Sequence, residues 1–391
     1  MLKCAGAPSM KLNGKSLKKM VQNAFILSCF IVFLAMPLPY CHADSFEHNG
    51  QVSVWGAYND NVNGKAGIRY IPEITVSKDL NKELIIDAEV SLNLYSFTAF
   101  DYPEELEDNA DAELYRSWAR LSGDLYEARV GLQRINFGPA KILRSLRWFD
   151  QLDPRDPLEL TEGVYALLGR YYFPNNSNIW LWGLYGNDDL KGLEALKTDE
   201  DRPEFGGRYQ FPVSKGEMAF TYHNRRIDKD WWSKNESVVI SNGLENRYAI
   251  DGSFDLGIGL WFEAALSDIK KDSHKSLWTR YLTVGADYTF DFGPGVHVLG
   301  EHFIKSTGSK ISNHDSDYKT SAISADFSVG ILDTITMIGY YDWQKDRFYP
   351  NLSWQRRYDN WLISVTAFYN SSDTDSVYSG TGVLCTIAYD Y

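Results

Sequence analysis

The chain has 391 residues, and its 52 acidic residues outnumber its 39 basic ones, so that the formal net charge is −13. This balance argues against nucleic acid as a partner, because binding to phosphates requires clustered Lys and Arg. Three of the four cysteines lie within the first 41 residues, and only Cys385 lies further along. Once the N-terminal segment is removed, a disulfide framework and a cysteine metal site are both excluded.

The first 43 residues have the pattern of a secretory signal peptide. A basic leader without an acidic residue precedes the apolar run 24–38, and the polar sequence Cys41–Asp44 follows. This order of charged, apolar and small-residue regions predicts cleavage after Ala43. The basic residues of the leader are Lys3, Lys11, Lys15, Lys18 and Lys19.

Two alternatives to a cleaved signal peptide stay open. An N-terminal membrane anchor would need about 20 apolar residues, whereas this run is shorter and ends at Pro37 and Pro39. Lipid attachment at Cys41 would require small residues before it, where Pro39 and Tyr40 stand. The leader is also long for a signal peptide, so the start of translation is Met1, Met10 or Met20.

Residues 44–391 form the predicted mature chain. Removing five lysines and no acid lowers the number of basic residues from 39 to 34 against 52 acidic ones, a net charge of −18. The mature chain has no further run suited to a membrane helix, no sign of a second domain, and many Tyr, Trp and Phe residues. These features are typical of a large secreted β-protein or of an outer-membrane β-barrel.

Stretches of about ten residues with alternating apolar and polar positions recur along the mature chain. In 84–95, for example, one face carries Leu84, Ile86 and Ala88, while the other carries Asp87 and Glu89. An acidic inner face suits a barrel with a wet lumen rather than a dry sandwich core. The predicted strands are 49–58, 66–77, 84–95, 112–122, 125–135, 164–173, 178–186, 204–212, 216–224, 245–254, 257–267, 278–290, 294–304, 319–329, 332–343, 348–357, 361–370 and 380–391.

The connections between these strands alternate in length. Short turns follow the even-numbered strands, and longer polar loops follow most odd-numbered ones, as in an up-and-down barrel with both termini at the periplasmic end. The exception is the short connection 344–347. The pattern predicts an all-β, transmembrane antiparallel barrel of about eighteen strands, or sixteen if 348–357 and 361–370 are not strands.

The last strand favours the membrane barrel over the secreted protein. Tyr391, Tyr389 and Ile387 alternate with Asp390 and Ala388, so the chain ends on a strand with one lipid-compatible face. This end resembles the C-terminal signal through which outer-membrane barrels are recognised by the assembly machinery.

Residues 136–163 lack the alternation of apolar and polar positions that predicts a strand. Ile142, Leu146 and Phe149 recur at helical spacing, and the Asp-Pro pairs at 153–154 and 156–157 would end a helix. The strand count makes this segment the third outer loop. Its apolar residues must be buried against another part of the protein. We expect a short amphipathic helix folded into the barrel mouth, with Arg144 and Arg147 over the pore; a loop that caps the outside of the barrel is the alternative.

Strand alternation also predicts which charged residues face the lumen. An Arg facing lipid at mid-depth costs about 2–4 kcal/mol, so arginines within strands are placed inward. The predicted pore-lining residues are Asp87, Glu89, Arg116, Arg120, Glu127, Arg129, Arg144, Arg147, Arg170, Arg208 and Arg247. Acids on later strands, Glu263, Asp287, Glu301 and Asp326, are placed inward as well. The arginines would form a ladder for anionic solutes, or would only pair with luminal acids.

The alternating strands, the aromatic terminus and the inserted third loop resemble bacterial outer-membrane porins. The strand number and the arginine-bearing strands resemble the alginate-export type of barrel. Residues 146–158, 163–168 and 170–173 are similar to a motif of poorly characterised outer-membrane proteins. The resemblance implies an outer-membrane channel for small hydrophilic, and in the sharper form anionic, solutes. Its surroundings would be lipid and lipopolysaccharide, and it would need no cofactor or metal.

Two other functions stay open at this point. The first is a structural or adhesive barrel plugged by its third loop. The second is a hydrolase with a site at the outer rim, near His223 or His274. No Gly-x-Ser-x-Gly elbow, zinc-ligand helix or phosphate loop accompanies these histidines, so the sequence favours a protein that is not an enzyme.

Overall fold

A computed structural model of the chain describes residues 45–60, 63–100, 106–228, 243–272, 275–312, 315–370 and 377–391. The predicted signal peptide lies outside these residues, so cleavage after Ala43 stays a prediction. Within the described residues there is no helix of the length and apolarity that crossing a membrane requires.

Eighteen antiparallel strands form one closed sheet in the described part of the chain. Each strand pairs with the next along the chain, and β18 pairs with β1. The strands are β1 (Ser45–Asn59), β2 (Asn63–Asn81), β3 (Leu84–Phe100), β4 (Leu106–Ser122), β5 (Tyr126–Gln133), β6 (Val164–Tyr172), β7 (Asn178–Leu184), β8 (Glu204–Val213), β9 (Gly216–Arg226), β10 (Leu244–Asp255), β11 (Gly259–Asp272), β12 (Lys275–Phe290), β13 (Val296–Gly308), β14 (Ser316–Val329), β15 (Asp333–Asp342), β16 (Arg347–Tyr358), β17 (Trp361–Asn370) and β18 (Gly380–Asp390).

The barrel is closed where its two terminal strands meet. Gln51 lies opposite Asp390, and the pairing continues to Asn59 opposite Gly382. The Tyr391 N–H donates to the Gly50 carbonyl at 3.0 Å, and the Gly50 N–H donates to the Tyr391 carbonyl at 3.2 Å. The aromatic terminus therefore seals the seam of the sheet, so that no strand edge is left open there.

Alternation along each strand separates an apolar outer face from a polar inner one. On the outer face, large apolar side chains stay exposed, such as Leu181 at 60%. Polar and charged side chains at the intervening positions are buried inside the barrel, which is the pattern of a barrel surrounded by lipid. Further exposed residues of the outer face are Val54, Val130, Leu167, Phe205, Phe220, Ile323, Met337 and Leu352.

The predicted fold class and strand number are confirmed. The doubtful pair 348–357 and 361–370 is present as β16 and β17, so the alternative of sixteen strands is wrong. Several strands extend further than predicted at the ends away from the chain termini. β3 and β4, for example, occupy most of the connection predicted at 96–111. The sequence hides this extension because that stretch is polar, and a strand that continues beyond the membrane can carry polar residues on both faces.

The main hydrophobic cluster lies inside the barrel. Phe137, Trp148 and Phe149 of the segment after β5 pack with Leu168 and Trp182, which point inward from β6 and β7. Burial of these rings supplies the apolar driving force that keeps the segment in the lumen.

Candidate functional site in the barrel lumen

The segment between β5 and β6 contacts the wall formed by β11 to β13. The backbone N–H groups of Ala140 and Leu146 donate to the two carboxylate oxygens of Glu263, at 3.0 and 2.8 Å. Glu263 lies on β11 and is fully buried. We call residues 134–163 the inserted segment.

A second carboxylate holds the same segment. Three consecutive backbone N–H groups, those of Lys141, Ile142 and Leu143, donate to Glu301 on β13 at 2.5–3.0 Å. The indole N–H of Trp261 also donates to Glu301, at 2.9 Å. Both acids were placed inward by strand alternation, and the structure gives them partners on the inserted segment.

The short helix expected around Ile142, Leu146 and Phe149 is absent, and this expectation was wrong. Residues 136–163 form turns and irregular backbone instead. The physical reason lies in the two carboxylates, which accept backbone N–H groups that a helix would direct to its own carbonyls. The apolar residues bind two different partners: Leu146 and Phe149 belong to the main cluster, while Ile142 packs with Trp261, Leu299 and Ile338.

A second stretch, residues 185–203 between β7 and β8, also lies against the inserted segment. The Leu193 N–H donates to the Arg147 carbonyl at 3.0 Å. Gly192 has a positive φ of 51°, and a Cβ there would lie 1.8 Å from the Arg147 carbonyl oxygen. Only glycine permits this approach of the two backbones.

Glu194 of this stretch is buried among cations. Its carboxylate lies 3.0 Å from Arg225 and 2.9 Å from Arg247. Both arginines also pair with Glu245 on β10. The cluster therefore contains two buried acids and two buried arginines, and a cavity of about 240 Å³ adjoins it. Such mutual pairing satisfies charges that would otherwise be costly to bury.

His223, which the rim-site alternative invoked, is fully buried. Its Nδ1 accepts the Trp182 indole N–H at 3.2 Å, and its Nε2 lies 3.1 Å from Glu204. The ring of Phe149 packs edge-on against it, with ring centroids 5.0 Å apart. The inserted segment therefore covers His223, so this histidine is not accessible at the outer rim, where the hydrolase alternative would need it. His274 lies outside the described residues.

A buried bidentate ion pair joins β8 to β10. Arg208 donates to both carboxylate oxygens of Asp251, at 2.6 and 2.8 Å, and to the Thr221 hydroxyl at 2.9 Å. The ring of Phe137 lies 5.4 Å from its guanidinium. Arg208 and Arg247 thus face inward, but the inserted segment and residues 185–203 cover them.

Further charged pairs line β3 to β6. The Arg120 guanidinium pairs with both oxygens of Asp87, at 3.0 and 3.2 Å. Arg170 lies 2.9 Å from Glu127, which is also 3.9 Å from Arg120. These four residues form a row of alternating charge, because Asp87 lies opposite Arg120 and Glu127 lies opposite Arg170 in the strand register.

Arg116 and Arg129 differ from their neighbours, since neither has a carboxylate ion-pair partner among the described residues. Arg116 donates to the Thr161 carbonyl at 2.7 Å, which ties β4 to the inserted segment. Arg129 stacks over the ring of Trp118 at 4.5 Å, and the Trp118 indole bonds to Glu89. These two guanidinium groups are not held in a direct ion pair, although the carboxylate of Glu89 acts on both electrostatically.

The other wall carries acids near the end of the barrel where the termini lie. His297 bridges Asp287 at 3.1 Å and Asp326 at 3.6 Å. All three are partly exposed inside the barrel. Across the described residues, His, Cys, Asp and Glu form no cluster of three or more that could hold a metal ion.

An opening of about 550 Å³ lies between the inserted segment and the wall formed by β13 to β17. Arg144 is neutralised there by Asp150, and Arg155 is neutralised by Asp153 at 2.7 Å. Arg147 has no ion pair among the described residues. The charged residues of the lining are Arg144, Arg147, Asp153, Arg155, Asp342 and Lys345.

The structure thus divides the predicted pore-lining residues into three groups. Arg144 and Arg147 lie at the opening, and Arg208 and Arg247 lie beneath the inserted stretches. The third group, on the β3 to β6 wall, comprises Asp87, Glu89, Arg116, Arg120, Glu127, Arg129 and Arg170. The sequence did not identify Glu194, Glu204, Arg225 or Glu245. Alternation at the outer ends of β8 to β10 was the available signal for Glu204, Arg225 and Glu245, whereas Glu194 lies outside the strands and had none.

A closed antiparallel barrel with an apolar outer face, a charged lumen and an inserted segment is the fold of bacterial outer-membrane porins. Comparison with known proteins agrees with this class. OccK7 (OpdD) of Pseudomonas aeruginosa is similar with a TM-score of 0.55 and 9% identity, over 89% of this chain and 99% of that chain. OmpT of Vibrio cholerae with loop L8 deleted, an outer membrane protein, has a TM-score of 0.51 and 9% identity, over 90% and 100%.

The anion-selective porin from Comamonas acidovorans has a TM-score of 0.47 and 12% identity, over 89% of this chain and 99% of that chain. Identities this low establish the fold alone. No protein-family model and no curated protein matches the sequence.

Proposed function

We propose that this chain is a bacterial outer-membrane channel through which small hydrophilic solutes diffuse past a constriction formed by the inserted segment. The observation that carries the proposal is the attachment of this segment to Glu263 and Glu301, which lie on a distant part of the wall. A segment held from both sides of the lumen narrows it without closing the opening of about 550 Å³ beside it.

The outer surface supports the membrane location. Its belt of exposed apolar side chains suits lipid tails, with lipopolysaccharide around the outer end. The alternating strand β18 and its terminal Tyr391 suit recognition by the barrel-assembly machinery. An aqueous passage through such a barrel needs no cofactor.

The charge distribution supports a preference for anions. Arg116, Arg129 and Arg147 have no carboxylate ion-pair partner among the described residues, whereas Arg120, Arg170 and Arg208 are neutralised by acids. Asp287 and Asp326 lie on other strands, β12 and β14, so groups of opposite charge on different parts of the wall would place a transverse field across the path of a solute. Such a field orients dipolar solutes and favours hydrophilic ones.

The test is single-channel conductance of the purified mature protein in a planar bilayer, with the reversal potential measured under a salt gradient. Discrete ohmic steps are expected, with a reversal potential on the anion-selective side. Replacing Arg116 and Arg129 with Gln should shift the reversal potential toward cation selectivity. The matched control is Arg356→Gln, an exposed residue paired with Asp333.

Three outcomes would overturn all or part of the proposal. Silence in the bilayer, from protein that is folded by circular dichroism, would favour a plugged structural or adhesive barrel. Steps with unchanged size after deletion of residues 140–150 would retain the channel and reject the constriction. Hydrolysis of phospholipid or peptide substrates by a silent barrel would point to the rim-site enzyme.

A further inference from the structure

Two neighbouring hairpins carry large apolar side chains at their tips, at the end of the barrel where the chain termini lie. Leu256 and Ile258 belong to the turn between β10 and β11, where they are 54% and 44% exposed. Phe292, in the turn between β12 and β13, is 73% exposed. Turns in water usually consist of Gly, Pro, Asn, Asp and Ser, and the turn between β8 and β9 has exposed Ser214 and Lys215 at its tip. The apolar tips therefore indicate surroundings other than water.

Each tip continues the row of side chains that face outward on its strand. Phe292 stands two positions beyond Phe290, an outward residue of β12 that is 51% exposed. The ring of Phe290 contacts that of Tyr288, the outward residue before it, with centroids 4.9 Å apart. On β10, Leu256 likewise stands two positions beyond the apolar Phe254. The lipid-compatible surface therefore runs to the end of both hairpins.

The length of the outward row on β12 places Phe292 inside the lipid band. The row begins at Leu282, because the next outward residue toward the other end is the charged Arg280, which donates to the Ile311 carbonyl. Leu282 and Phe292 are ten positions apart, and no outward residue between them is charged. A strand advances about 3.4 Å per residue at a tilt of about 40°, so ten positions cover about 25 Å along the barrel axis. This is the full height of the apolar band of an outer-membrane barrel, and the row attains it only with the turn included.

The neighbouring hairpin shows that an apolar tip alone is not sufficient. Ile331, in the turn between β14 and β15, is 99% exposed. On the outward face of that hairpin, however, Asp333 pairs with Arg356 of β16 at 2.8 Å, so charge interrupts the apolar row before the tip. The acids beside the other two tips, Asp255 and Asp291, occupy the alternate positions, on the side of the lumen. Only the hairpins of β10–β13 combine an apolar tip with an uninterrupted apolar row in this sector.

A lipid surface fits these tips better than a partner protein does. Neighbouring hairpins are two strands apart, about 10 Å along the rim, so their tips form a line rather than a compact patch. A stable protein interface buries a contiguous area of about 800 Å² on each partner. A lipid leaflet accepts apolar side chains one by one around the rim, with their polar neighbours turned toward water.

We propose that the turns between β10 and β11 and between β12 and β13 insert into the inner leaflet of the outer membrane, with Leu256, Ile258 and Phe292 among the acyl chains. The proposal rests on the membrane location in the proposed function. It adds that the barrel is embedded to the tips of these two hairpins, whereas the polar turn between β8 and β9 stays in water.

The test is the depth of nitroxide spin labels in vesicles of phosphatidylethanolamine and phosphatidylglycerol, measured from collision rates with oxygen and with a water-soluble nickel chelate. The labels are attached to single cysteines in the mature chain with Cys385→Ser, since Cys385 is its one native cysteine. Labels at Leu256→Cys and Phe292→Cys should collide mainly with oxygen, like a label at Val284→Cys in the middle of β12. The matched control is Ser214→Cys, whose label should collide mainly with nickel.

The labels separate failure of the proposal from failure of the membrane location. If the labels at positions 256 and 292 match the one at 214, while the label at 284 still collides mainly with oxygen, the tips lie in water. The proposal is then overturned, and the tips are open to a periplasmic protein. If the label at 284 also collides mainly with nickel, the membrane location itself is wrong.

A second measurement avoids the labels. Leu256→Ser combined with Phe292→Ser should lower the equilibrium constant for folding into the same vesicles by roughly tenfold, because two apolar side chains no longer enter the lipid. Both side chains are more than half exposed, so they add little packing within the barrel. Ser214→Ala, at the polar tip, should leave the constant unchanged. An unchanged constant in the double variant would overturn the proposal.

Discussion

The backbone N–H of Leu146 donates a 2.8 Å hydrogen bond to Glu263, although the two residues are 117 positions apart in the sequence. Glu263 is fully buried and uses its other carboxylate oxygen to accept the Ala140 N–H. A buried carboxylate is tolerated only where donors surround it. The Glu263 side chain therefore fixes the inserted segment to the wall, and the segment supplies the hydrogen-bond donors that the buried carboxylate requires.

Replacing Glu263 with Gln should loosen the inserted segment. The amide offers one acceptor oxygen in place of two, so either the Ala140 or the Leu146 N–H loses its partner, a penalty of about 1–3 kcal/mol. Glu301→Gln should act in the same way on the three N–H groups that it binds. We expect larger and noisier single-channel conductance in both variants, measured in planar bilayers.

Glu217→Gln is the matched control, because Glu217 is exposed beside the turn between β8 and β9 and, among the described residues, its carboxylate bonds to Gln210 and to no part of the inserted segment. Its conductance should equal that of the wild type. If Glu263→Gln and Glu301→Gln retain wild-type conductance and noise, the carboxylates do not hold the segment in the membrane-embedded protein.

Gly192→Ala should separate the two inserted stretches. The new Cβ would lie 1.8 Å from the Arg147 carbonyl oxygen, so one backbone must move. Gly293→Ala is the control, since Gly293 also has a positive φ, of 61°, but has open space around its Cβ position. Both variants incur the backbone strain of a left-handed alanine, and only Gly192→Ala adds the clash.

The measurement is limited proteolysis of the folded protein, with cleavage sites identified by mass spectrometry. Gly192→Ala should expose residues 185–203 to cleavage, whereas Gly293→Ala should not. Equal protection of the two variants would show that the close approach of Gly192 to Arg147 is not a constraint on the loops.

The barrel could be predicted from the sequence because strand alternation and turn lengths are local features. Even some ion pairs follow from register: Asp87 lies opposite Arg120, and both sit on adjacent strands of one hairpin. The Arg208 pair with Asp251 is harder to foresee, because β8 and β10 are separated by β9. Such contacts depend on side-chain length across an intervening strand.

The conformation of the inserted segment could not be predicted from its own residues. The spacing of Ile142, Leu146 and Phe149 matches a helix, but the competing acceptors Glu263 and Glu301 are supplied by strands far along the chain. The role of Glu194 was equally hidden, since its cations Arg225 and Arg247 belong to other strands. The spacing of apolar residues indicates which secondary structure a segment can form. In the inserted segment, hydrogen bonds to distant strands determined the conformation instead.

The Arg208–Asp251 pair should show strong coupling in a double-mutant cycle. Arg208→Met or Asp251→Leu alone leaves a buried charge without its partner, so each should lower the free energy of unfolding by about 3–5 kcal/mol. The double variant removes both charges and should recover most of that loss. The measurement is urea unfolding of the barrel in lipid vesicles; additive losses would contradict the buried, bidentate geometry.

The ion pair between Arg155 and Asp153 in the inserted segment should resist mild acid. Burial alone would raise the pKa of this carboxyl, but the hydrogen bonds and charge of Arg155 outweigh burial and leave the pKa below its ordinary value. The stabilisation is therefore complete above the unfolded pKa of about 3.9 and is lost as the pH falls through the lower folded value. The difference in conductance between the wild type and Asp153→Asn should therefore stay constant from pH 7 to about pH 5 and should shrink only in stronger acid.

Asp153→Asn removes the negative charge that pairs with Arg155. This variant should therefore already show increased conductance noise at pH 7. Asp156→Asn is the informative comparison, because the pKa of Asp156 is raised by burial and its carboxylate bonds to the N–H groups of Leu158 and Leu160 rather than to a cation. A group with a raised acid pKa destabilises the folded state increasingly as the pH rises, so its neutral replacement should be tolerated at pH 7. If the conductance of Asp156→Asn is as noisy as that of Asp153→Asn at neutral pH, loss of the Arg155–Asp153 ion pair is not the cause of the increased motion of the segment.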